Sequence, residues 1–149
     1  MARFAVDGQD TSTAATTLLG LTGAATVRPK IYDFTLGSNA TPADNAVEYA
    51  LQRTTVAGTT GTAITPTPLD PLTIAAVTAC QEAPTVEPTY TANIILFQWA
   101  QNQRATYRWV AAPGGELIFS AAAAAGIGVQ VISIAGSAVI YRMTIHFEE

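Results

Sequence analysis

Apolar residues in this chain recur at every second position, and that period limits it to strands. The longest run is Ser137–Glu149. Val139, Tyr141, Met143, Ile145 and Phe147 fall on one side of it, and Ile140, Arg142, Thr144, His146 and Glu148 on the other. Side chains of a strand alternate between its two faces, so such a run makes one buried face and one wet or interfacial face. Asn45–Ala57 repeats the pattern, with Val47, Tyr49 and Leu51 opposite Glu48, Ala50, Gln52 and Thr54. Arg28–Gly37 places Tyr32, Phe34 and Leu36 on one face and Ile31, Asp33 and Thr35 on the other, with Pro29 suited to a strand start. Gly126–Ser133 reads as a strand opened by two glycines, and Glu116–Phe119 as a short one after the Pro113-Gly114-Gly115 turn.

The segment from Thr91 to Phe119 holds both tryptophans and five of the twelve aromatic residues. Ile94, Ile95, Leu96, Phe97 and Trp99 precede Gln101-Asn102-Gln103, and Tyr107, Trp109 and Val110 follow it. A three-residue hairpin loop at Gln101–Gln103 would pair Ala100 with Arg104. Trp99 would then face Ala105, Phe97 would face Tyr107 and Ile95 would face Trp109, all on one side. The opposite side would carry Ile94, Leu96 and Val110, with Gln98, Thr106 and Arg108 nearer the turn. A sheet face in water is polar, so this second face asks for cover. A neighbouring subunit is one cover; a second layer of the same domain or the long loop is the other. Ile94, Leu96, Val110 and Arg108 are thus the candidate interface residues.

The remaining stretches are less patterned. Residues 1–13 are polar and read as an N-terminal arm. Ala14–Ala25 contains Gly20 and Gly23, which would break a helix, and a short strand suits it better. Gly58–Gly61 closes a hairpin that returns through Thr62–Thr65. Pro66–Pro88 is a long, mostly irregular connection in which Leu72–Cys80 has room for one helical turn, and such loops tend to dock on something. Ala121–Ala125 is too short to repay helix nucleation and reads as a loop. The sum is an all-β fold: one jelly-roll-like β-sandwich domain of about eight strands spanning 14–149, preceded by the arm 1–13.

Composition narrows the function. Only 12% of the 149 residues are charged, about half the usual share, while 49% are hydrophobic. So few charges do not cover a free surface well, and part of the outside is expected to be buried against other subunits. Net charge is −4 and Lys30 is the single lysine, which argues against a nucleic-acid surface. No run of apolar residues reaches membrane-spanning length, and MARFAVDGQD lacks the basic start and apolar core of a signal peptide. Synthesis in the host cytoplasm follows.

Chemistry is sparse. Cys80 is the one cysteine and has no histidine near it in sequence, so it reads as a small buried residue rather than a nucleophile. His146, the one histidine, sits in the terminal strand and reads as a surface or interface residue. Asp70, Glu82 and Glu87 lie in the long loop without the spacing of a calcium loop. Asp33 and Asp44 read as caps of backbone amides at turns. Gly126-Ile127-Gly128 precedes a strand, not a helix, and cradles no phosphate. Trp99 and Trp109 suit the core better than a sugar platform. No catalytic residue, cofactor or metal site is expected.

The strings RPKIYDFTLGSNATPADNAVEYALQRTTVAGT, NQRATYRWVAAPGGELI and GIGVQV resemble small structural proteins of tailed bacteriophages over roughly residues 14–149. The resemblance implies a non-enzymatic capsid decoration, or cement, protein of jelly-roll type. Such a protein sits as a homotrimer on the outer surface of the virion head and bridges major capsid subunits. Residues 1–13 and Pro66–Pro88 would then carry the capsid contact. The alternative is a carbohydrate- or receptor-binding module of a head or tail fibre, for which two of Tyr90, Trp99, Tyr107 and Trp109 must be exposed together.

Overall fold

The computed structural model describes residues 1–12, 15–136 and 138–149. The expected arm end at Thr13, run start at Ala14 and run start at Ser137 lie outside these. Twelve strands form, and no helix is present among the described residues. They are β1 (Arg3–Ser12), β2 (Thr17–Thr22), β3 (Lys30–Asn39), β4 (Ala46–Val56), β5 (Thr62–Ile64) and β6 (Thr67–Pro68). Then follow β7 (Ala79–Glu82), β8 (Thr89–Asn102), β9 (Tyr107–Val110), β10 (Leu117–Ile118), β11 (Gly126–Ile134) and β12 (Val139–Glu148).

Two antiparallel sheets pack face to face. The first runs β10-β3-β12-β1-β6, with β9 on the same edge of β3 as β10; the second runs β5-β7-β2-β11-β4-β8. The first four strands pair with later ones in nested order: β1 with β12, β2 with β11, β3 with β9 and β10, and β4 with β8. Pairing of β3 with β12 and of β4 with β11 completes each sheet. Both inner faces supply the core. Val139, Tyr141, Met143, Ile145 and Phe147 all turn inward on β12, and Val47, Tyr49 and Leu51 on β4, as the alternation requires.

Five expectations are corrected. The expected arm is a strand over its described part: Arg3–Ser12 pairs with β12 along its whole length and lies inside the first sheet. Phe4 and Val6 are buried, and a Cβ on Gly8 would stand 2.9 Å from the Leu19 side chain. The acids Asp7 and Asp10 between them disguise a short inward alternation.

Gln101–Gln103 is not a hairpin loop. Here β8 pairs with β4 in the second sheet, while β9 pairs with β3 in the first. Gln103 is the reason: it is fully buried, its amide donates to the Asn45 carbonyl at 2.9 Å, and its Oε1 accepts from the Ala43 amide at 2.9 Å. These bonds tie the corner to the turn before β4 and send the chain across the sandwich. The expected aromatic cluster still assembles, because the two arms face each other through the core rather than lying side by side. Phe34 on β3 is its centre, at 5.3 Å from both Trp99 and Trp109 and 5.8 Å from Phe97, ring centre to ring centre. Trp99 stacks on Tyr107 at 5.4 Å. Ile95 does not join; it is 46% exposed.

Tyr32 does not share the face of Phe34 and Leu36. The register of β3 against β12 slips between His146 and Phe147, which opposes His146 to Asp33 and Phe147 to Ile31. One extra residue on β3 makes a β-bulge, so Ile31 and Phe34 are both buried while Tyr32 stacks on His146. The strand after Gly61 also exists, but β5 pairs with β7 and not with β4, so Gly58–Gly61 closes no hairpin. Leu72–Cys80 makes no helical turn, and Ala121–Ala125 is a loop.

Candidate functional site

The outer face of the first sheet is a ladder of charges set by strand register. One row holds Arg3, Glu148 and Lys30; the next holds Ala5, His146 and Asp33; then come Asp7, Thr144, Thr35 and Arg108. Glu148 lies 3.8 Å from Arg3 and 3.7 Å from Lys30. Arg3 also lies over the Tyr32 ring at 5.5 Å. Asp33 is the most deeply placed acid of the ladder. Arg108 grips it with two hydrogen bonds of 3.1 and 2.7 Å, and His146 Nδ1 stands 3.3 Å from its Oδ2. The Arg108 bonds, aided by His146, hold the Asp33 carboxyl below its ordinary range against the opposing effect of burial. Asp33 therefore caps no turn; it is the anchor of a three-strand ion cluster. Asp44 accepts instead from the Asn102 side chain.

The four expected interface residues divide between the sheets. Ile94 and Leu96 lie on β8 and Val110 and Arg108 on β9, so they do not share a face of one hairpin. Ile94 is partly exposed and Val110 exposed, Leu96 packs against the core, and Arg108 is committed to Asp33. They nevertheless lie on one flank of the sandwich, since β8 and β9 are edge strands whose Phe97 and Trp109 rings meet at 5.7 Å.

A second surface was legible only as an unpatterned stretch between prolines. Within Pro66–Pro88, Leu69, Leu72, Ile74 and Val77 are exposed, Leu72 by 92% and Ile74 by 83%. The loop is nonetheless fastened. Asp70 accepts from the Leu72 amide at 3.0 Å, and Glu149 accepts from the Val77 amide at 2.7 Å and the Thr78 hydroxyl at 2.5 Å. Apolar side chains held out on a fixed backbone lose little entropy on docking. The loop also contains two short strands, β6 against β1 and β7 against β2.

The residues considered for chemistry are dispersed. Asp70 turns its own loop, Glu82 receives the Gln9 amide at 2.5 Å, and Glu87 receives the Thr17 hydroxyl. Among the described residues no three His, Cys, Asp or Glu side chains gather to hold a metal. Cys80 is buried, and burial, with the nearby Glu149 charge, pushes its thiol up to about 12. Trp99 is buried, Tyr107 and Trp109 pack against the core, and Tyr90 lies over Gly128 with its hydroxyl 2.7 Å from Thr17 Oγ1. These aromatics form no exposed pair in a concave site. Among the described residues no helix is long and apolar enough to cross a membrane.

Comparison with family models, with curated proteins and with solved structures returns no match.

Proposed function

We propose that the protein is a structural component of a bacteriophage virion, a decoration protein on the outside of the head that bridges major capsid subunits. The observation that carries this reading is the nested pairing of the first four strands with later ones. The pairing of β1 to β4 in turn with β12, β11, β9 and β8 folds the chain back on itself, which supports the jelly-roll reading that the resemblance of residues 14–149 implies. The fastened apolar loop at Leu69–Val77 supplies the shell contact. The N-terminal segment leaves that role, because deleting residues 2–12 would remove β1 from the first sheet.

The test is to add purified protein to particles that lack it and measure occupancy by cryo-electron microscopy. The wild type is expected to occupy regular positions on the head exterior. The double variant Leu72→Ser, Ile74→Ser is expected to lose occupancy at least about tenfold while keeping its fold, since each buried aliphatic side chain contributes roughly 1.5–3 kcal/mol. Undecorated particles at saturating wild-type protein would overturn the reading. Undiminished binding of the double variant would remove the loop from the contact.

A further inference from the structure

The two flanks of the sandwich are finished differently. On one, the sheets end in β5 and β6, of three and two residues. Short edge strands are an ordinary defence against pairing with another chain. On the other flank the second sheet ends in β8, fourteen residues long. Among the described residues nothing pairs with its outer edge. Thr89–Asn102 contains no Lys, no Pro and no charge of either sign, so the other common edge defences are missing. One defence is present, and it covers only the first half. The β4 register shifts repeatedly between Tyr90 and Phe97, and Asn93 takes a positive φ of 61°. From Phe97 to Asn102 the ladder is regular, opposite Leu51 to Ala46. Exposed apolar side chains lie near this regular edge: Ile94 and Ile95 in the shifted half just before it, and Val110 across the flank on β9, 57% exposed.

The unpaired backbone groups of such an edge ask for an extended strand. We propose that the strand is β8 of a second copy of this chain, added antiparallel across a twofold axis so that the two second sheets become one continuous sheet. Three features point to the chain itself as the occupant. An antiparallel strand is its own complement about a twofold, so one surface serves both copies. A charged edge would meet its own charge across that axis, and this edge has none to meet. The apolar residues Ile94, Ile95 and Val110 lie on the same flank and are carried into the contact with the edge. Edge pairing of this kind closes at two copies, in place of the threefold assembly that the resemblance implies. It does not depend on the virion reading, and its test uses no particle.

Light scattering of the full chain is expected to give twice 15.5 kDa. Hydrogen exchange of the wild type is expected to show amides within Phe97–Asn102 gaining protection as concentration rises, while β5 amides do not change. Ile95→Lys places a cation on the exposed part of the edge. It is expected to raise the dissociation constant at least about a hundredfold and to abolish the concentration-dependent protection, with the circular dichroism unchanged. A wild-type monomer at high micromolar concentration overturns the proposal, and so does a three-copy assembly. A two-copy wild type whose β8 amides exchange equally at low and high concentration also overturns it, whether or not the variant folds.

Discussion

The outer face of the first sheet and the outer flank of the second solve the same problem by opposite means. Four of the seven cations, Arg3, Lys30, Arg108 and Arg142, stand on the first sheet's outer face. Each has a carboxylate partner there, from Glu148, Asp33 or Asp7. Arg3, Glu148 and Lys30 mix signs within one row, while Arg108 reaches Asp33 and Arg142 reaches Asp7 from the neighbouring row. The β8 flank of the second sheet has no charge on its edge strand and leaves Ile94 and Ile95 partly bare. Seven of the 18 charged residues, Arg3, Asp7, Lys30, Asp33, Arg108, Arg142 and Glu148, share that one face, and β8 has none.

The comparison holds only if the two sheets, unlike outside, are bound through one core. Phe34 is the residue to test, because its ring meets aromatic rings from both sheets. Phe34→Ala is expected to cost about 3–5 kcal/mol in urea denaturation, since a large buried ring leaves a cavity that the core does not refill. A cost below about 1 kcal/mol would mean the sheets are joined elsewhere, because removing a fully packed aromatic side chain exceeds that.

Gly126→Ala separates shape from charge. A Cβ there would lie 1.9 Å from the Leu21 carbonyl oxygen of β2, a backbone atom with nowhere to go. The expected loss is about 3 kcal/mol, the upper part of the range for overpacking. It should be the same at pH 7 and pH 3.5, because the clash involves no titrating group. A loss that changed strongly with pH would contradict the steric account of the second sheet.

Arg108→Ala gives the smaller effect and the opposite pH behaviour. Asp33 has a depressed carboxyl pKa in the folded protein, so its contribution is present above the unfolded carboxylate range and is lost as pH falls through the folded value. Removing Arg108 takes away the largest cause of the depression. Wild type and variant are therefore expected to differ at pH 7 and to converge in strongly acidic solution, where Asp33 is protonated in both. A difference that persists undiminished through acid unfolding would show that Arg108 contributes by packing and not through Asp33.

Nine strands, β2 to β5 and β8 to β12, fall in stretches legible as strands, and alternation, a local property, marked β3, β4 and β12 most clearly. The inward sets of β4 and β12 were read residue by residue, and so was membership of the aromatic cluster, Phe97, Trp99, Tyr107 and Trp109. The candidate interface was half legible. Its exposed apolar residues Ile94 and Val110 stood out as excess on a face that should be polar, but their common face was misassigned. Leu72 and Ile74 gave no periodic signal, and only their setting between prolines marked them.

By itself, then, the order of residues determined that the chain makes strands, and which side chains of β4 and β12 point inward. Tertiary structure decided which strand lies beside which. Ladder hydrogen bonds join backbone groups that every residue except proline carries alike, so alternation names a face without naming a partner. That is why Gln101–Gln103 looked like a hairpin and is a corner: the deciding bonds run from Gln103 to Ala43 and Asn45, some sixty residues away in the chain. It is also why Arg3–Ser12 looked like an arm, since its place depends on β12 at the far end of the sequence. A single inserted residue at Tyr32 brought Asp33, His146 and Arg108 together, because a bulge shifts the register of all that follows against a partner the sequence does not specify.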